Sequence, residues 1–75
     1  MNNEVFTIAC ERASKEVLSL ILDGYMLVFE VRFVESHTAI MKLKHTKNEN
    51  QIKVRVCGRS WELWKNNKLV KKEYV

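Results

Sequence analysis

The stretch LILDGYMLVFEVRF, residues 20–33, contains the change of pattern that decides the fold. Before Asp23-Gly24, apolar residues recur at three- and four-residue steps: Phe6, Cys10, Ala13, Val17, Leu20 and Ile21 line one stripe of a helix. After Gly24 the period falls to two. Leu27, Phe29, Val31 and Phe33 point one way and Glu30 and Arg32 the other, as in a strand with one buried face. Asn2 or Asn3 is placed to cap the helix, and Gly24 to end it as the left-handed residue after the last turn. Glu11 with Lys15 and Arg12 with Glu16 sit four residues apart on the polar side. The first turn also alternates, through Phe6, Ile8 and Cys10, in the manner of a short strand.

Downstream the two-residue period persists. Ala39, Met41 and Leu43 face inward with Lys42 and Lys44 outward, then Ile52, Val54 and Val56 inward with Lys53 and Arg55 outward. Gly58-Arg59 fits a II′ hairpin turn, where glycine leads. Asn66-Asn67 fits an I′ turn, since asparagine tolerates positive φ. These turns bound two further strands at about 60–65 and 68–74. The expected fold is α+β: one N-terminal amphipathic helix packed on a five-stranded antiparallel β-meander, with residues 1–75 as a single domain.

Hairpin loops fix which residues oppose one another. The Gly58-Arg59 turn pairs Val56 with Trp61, Val54 with Leu63, Arg55 with Glu62 and Lys53 with Trp64. The Asn66-Asn67 turn pairs Leu63 with Val70, Trp64 with Leu69 and Glu62 with Lys71. A three-residue loop at Glu35-Ser36-His37 places Val31 by Met41, Phe29 by Leu43 and Glu30 by Lys42. The hairpin near Lys47 to Asn50 accepts a loop of two or four residues.

Composition narrows the function. The chain has 75 residues, 47% of them apolar, and a net charge of +4. No apolar run approaches the roughly 18 residues of a membrane span, and no basic-then-apolar segment resembles a signal peptide, so a cytoplasmic protein is expected. Residues 1–36 hold six acids and three bases, whereas residues 37–75 hold ten bases and three acids. That asymmetry points to a polyanionic partner for the second half.

The expected working surface is the sheet face away from the helix. It gathers Arg32, Lys42, Lys44, Lys53, Arg55 and Lys71, with Trp64, Leu69, Ile40 and the acids Glu30, Glu62 and Glu73 among them. Like charges opposed across strands destabilise a sheet, and a phosphate backbone would offset them while the Trp64 ring stacked a base. Nucleic acid is thus the first partner expected. The alternative is a protein partner on the same face, either a homodimer or a host factor inhibited in the manner of small phage-encoded proteins. The chain lacks the aromatic RNP pattern, a GXXG loop and a helix-turn-helix. A second basic cluster, Lys65, Lys68, Lys71 and Lys72, surrounds the Asn66-Asn67 turn.

Catalytic and metal chemistry have little to stand on. Cys10, Cys57, His37 and His45 lack the spacing of zinc ligands, so neither metal nor cofactor is expected, and the two thiols are expected to be free. No carboxylate stands at a recognisable spacing from either histidine, and Asp23 belongs to the helix end. A nuclease-like site built from Lys, Arg and Tyr74 would leave no spacing signature. A binding domain is favoured over an enzyme.

Overall fold

The computed structural model describes residues 3–75. Helix α1 (Asn3–Leu22) is followed by strands β1 (Tyr25–Phe33), β2 (Thr38–His45), β3 (Gln51–Cys57), β4 (Ser60–Lys65) and β5 (Lys68–Tyr74), which form one antiparallel sheet in chain order. The helix packs on one face of that sheet, against β1, β3 and β4. The α+β meander expected from the two periodicities is the observed fold.

The helical stripe buries Phe6, Ala9, Cys10, Ala13 and Val17. The small Ala9 and Ala13 have no exposed surface, so the helix backbone lies close to the sheet. Ile8 and Ile21 are exposed, which settles the first turn as helix and moves Ile21 out of the expected stripe. Of the two proposed caps, Asn2 lies outside the described residues, and Asn3 opens the helix. Gly24 ends the helix at φ 103°. A β-carbon there would meet His45 Nε2 at 2.8 Å, so a larger residue would strain the backbone and also displace the His45 ring. The His45 ring accepts the Lys47 N–H at Nδ1 (3.0 Å) and so carries its proton on Nε2, 3.2 Å from the Asp23 carbonyl.

The central registers follow the turns. Val56 opposes Trp61, Val54 opposes Leu63, Arg55 opposes Glu62 and Lys53 opposes Trp64. Asn66 and Asn67 both adopt positive φ, at 51° and 68°, as an I′ turn requires, and Gly58 leads its turn at 61°. The second hairpin takes the four-residue loop: His45 N–H donates to the Asn50 carbonyl at 3.0 Å, and Lys42 faces Lys53.

The outer strands depart from the expected registers. The first hairpin closes with Phe33 opposite Thr38, a loop of four residues (34–37) rather than three. His37 turns inward at φ 51° and is buried against Phe6. The register then slips between Leu27, opposite Leu43, and Phe29, opposite Lys42, leaving Val28 as a β-bulge. Beyond the bulge, Phe29, Val31 and Phe33 stand on the open face, and Glu30 and Arg32 on the helix face. That reverses the inward assignment of the three apolar residues. A second bulge at Val70 keeps Trp64 opposite Leu69 but sets Leu63 opposite Lys71 and Glu62 opposite Lys72. Lys71 therefore moves to the helix face and Lys72 to the open one.

Leu43, 1% exposed, and Phe29, 48% exposed, discriminate between the bulged and the regular β1. Leu43→Ala should cost about 2–5 kcal/mol and Phe29→Ala about 1 kcal/mol or less in urea titrations. Equal, large losses would place Phe29 in the core and remove the bulge.

Candidate functional site

The open face is built from transverse rows, each crossing all five strands. One row runs Phe29, Lys42, Lys53, Trp64 and Leu69, and the next Val31, Ile40, Arg55, Glu62 and Lys72. A third runs Phe33, Thr38, Cys57, Ser60 and Tyr74. In the first row two lysines lie side by side with an aromatic ring at each end. Lys53 Nζ sits 5.0 Å from the Trp64 ring centroid and Lys42 Nζ 5.7 Å from that of Phe29. At about 4.8 Å per strand, the backbones that carry the two rings lie about 14 Å apart across the sheet.

The charges sort into two groups. Glu62 is enclosed: its Oε1 lies 3.7 Å from Arg55 Nη1 and accepts the Trp64 indole N–H at 3.4 Å, while Oε2 lies 3.6 Å from Lys72 Nζ. One carboxylate thus serves two cations and fixes the tryptophan. Lys72, beside Tyr74 and Glu62, has its pKa raised, chiefly by the tyrosine. Lys42, Lys44 and Lys53 differ, because among the described residues no carboxylate comes within 4.0 Å of any of them. They border a shallow depression of about 300 Å³ that also involves Val28, Gln51, Trp64 and Asn67. Its wall offers ammonium groups, two side-chain amides and the Trp64 indole, a set suited to an anionic, planar ligand.

Five of the seven residues expected on this surface are there: Lys42, Lys44, Lys53, Arg55 and Trp64. Arg32 and Lys71 are not, because each lies past a bulge that turns it to the helix face. Arg32 sits by the Cys10 thiol, whose pKa burial raises and the guanidinium lowers in part. Lys71 Nζ lies 3.9 Å from Glu16 on the helix and 5.5 Å from the Trp61 ring centroid. Glu30 and Glu73 go with them to the helix face. The basic cluster at the last turn divides between the two faces for the same reason.

Phe29, expected inward, and Asn67, in a turn, belong to the surface although the alternation did not select them, and Gln51 joins them with the parity of Lys53 and Arg55. Four successive apolar residues, Met26 to Phe29, were the available sign that β1 could change face. Elsewhere, Cys10 is buried and Cys57 exposed, both as free thiols, and no group of three or more metal-ligating residues comes together among the described residues. No described helix is long and apolar enough to cross a membrane. No protein-family model, curated protein or solved structure matches the chain.

Lys42 faces Lys53 across the β2–β3 ladder, so neutralising one of them should relieve repulsion. Lys42→Gln is expected to stabilise the domain by about 0.2–1 kcal/mol at low ionic strength, and by less as salt screens the pair. Thermal melts at two salt concentrations measure this. A loss of stability would mean that the ring contacts outweigh the repulsion.

Proposed function

We propose that this protein is a non-catalytic domain that binds single-stranded nucleic acid on the open face of its sheet. The observation that carries the proposal is the row Phe29, Lys42, Lys53 and Trp64, in which two cations that meet no carboxylate among the described residues lie between two aromatic rings. Phosphates answer the lysines, which otherwise repel one another, and bases stack on the aromatic rings, of which Trp64 has its indole N–H on Glu62. Lys44 and Arg55 extend the cationic strip along the strands. An open sheet favours an unpaired strand over a duplex, because stacking on a ring needs an exposed base face.

The apolar corner of the same face supports a second reading. Val31, Phe33 and Ile40 adjoin the lysines, and Phe33 is 53% exposed. An exposed apolar patch with a charged rim is the usual form of a protein-binding surface. On that reading the partner is a protein, and the lysines steer its approach.

Salt dependence separates the two. Contacts by Lys42, Lys44, Lys53 and Arg55 predict a slope of log affinity against log salt of about −2 to −3 on single strands, and Lys53→Gln should flatten it by about 0.7. Trp64→Ala should weaken binding by about 1–3 kcal/mol without changing the slope. Lys71→Gln, on the opposite face, should change neither. Fluorescence polarisation with oligonucleotides at several salt concentrations gives all three results. Binding indifferent to Lys53 and Trp64 would overturn the proposal.

A further inference from the structure

The two edges of the sheet are unequally defended. Strand β5 carries Lys68, Lys71, Lys72 and Glu73, and lysines on an edge discourage further pairing. Strand β1 is nine residues long, its other side is unpaired in the sheet, and beyond the Val28 bulge it reads Phe29-Glu30-Val31-Arg32-Phe33. Only two of those five residues are charged, and they have opposite signs.

That order is self-complementary. If a second copy pairs antiparallel with β1 about a two-fold axis at Val31, Glu30 of each copy falls opposite Arg32 of the other. Phe29 of each likewise falls opposite Phe33. Both charge pairs form on the helix face and both aromatic pairs on the open face; each of these contacts occurs twice, and Val31 meets its own copy on the axis, as an isologous interface requires. Centring the axis on Glu30 or Arg32 instead would set like charges against each other. We infer that β1 is the dimerisation edge of this protein and that its partner is a second copy of the chain. The two sheets then join as one, with both helices on one side and both open faces continuous on the other. This inference is independent of what the open face binds.

Sedimentation equilibrium on the full chain tests it. The wild type should show twice the monomer mass at high concentration. Glu30→Arg and Arg32→Glu should each weaken self-association by about tenfold or more, because two attractive pairs become repulsive. Mixing the two variants in equal amounts should restore association, now as a heterodimer. A wild type that stays monomeric, single variants that associate as the wild type does, or a mixture that fails to associate would each overturn the inference. Should a reversal unfold the chain, Val31→Cys in a Cys57→Ser background gives an independent answer. Directly opposed α-carbons of an antiparallel pair lie about 4.5–5.5 Å apart, within the span of a disulfide, so mild oxidation should yield a covalent dimer. A chain that remains monomeric after oxidation would also overturn it.

Discussion

His37 closes the first hairpin from inside the protein. Its ring centroid lies 5.3 Å from that of Phe6, and its Nε2 is 2.6 Å from Asn3 Oδ1, so the loop is tied to the first turns of the helix. Burying that ring fixes where β2 begins and places Thr38 opposite Phe33. At the other end of β1, Tyr25 must also point inward, where its ring meets His45 edge-on at 4.7 Å. Two inward anchors with one residue too many between them leave a bulge as the way to satisfy both. The bulge at Val28 delivers Phe29, Val31 and Phe33 to the open face, and with them half of the aromatic character of the candidate site.

The lysine row is tolerable because its surroundings are only partly dry. The Lys42 side chain is exposed and Lys53 half-buried, so their repulsion acts largely through water and amounts to a fraction of a kcal/mol, up to about 1 kcal/mol. The rings recover part of it, since each ammonium lies near the negative face of an aromatic. A buried pair of the same kind would be far more costly. The geometry therefore keeps positive charge concentrated without endangering a core built from Leu43, Val54 and Val56, the largest side chains fully enclosed.

Legibility in the sequence follows the position of each strand in the sheet. The helical stripe from Phe6 to Leu20, the Gly24 terminus, both asparagines of the last turn and the β3–β4 register could all be taken from residue spacing, because each rests on local chemistry. Strands β2, β3 and β4 keep strict alternation from Ala39 to Trp64 apart from their turns, and the five residues found on the open face as expected all lie on them. Both residues misplaced, Arg32 and Lys71, lie on edge strands, past a bulge.

This division has a physical cause. A bulge in a central strand disrupts two hydrogen-bonded ladders, whereas in an edge strand it disrupts one, so slips of register collect at the margins. The sequence marks both places in the same way, with adjacent apolar residues where alternation should hold: Met26 to Phe29 in β1 and Leu69-Val70 in β5. Such a run leaves the parity of the residues beyond it unspecified, and distant contacts then decide it. For β1 the decision comes from His37 under the helix. For β5 it accompanies Glu62, which holds Lys72 on the open face while Lys71 reaches Glu16 on the other. Alternation thus loses its reach at apolar neighbours in an edge strand, whereas Ala39-Ile40-Met41, held between two ladders, keeps its parity. The chemistry of a sheet edge has to be worked out from what anchors each end of the strand.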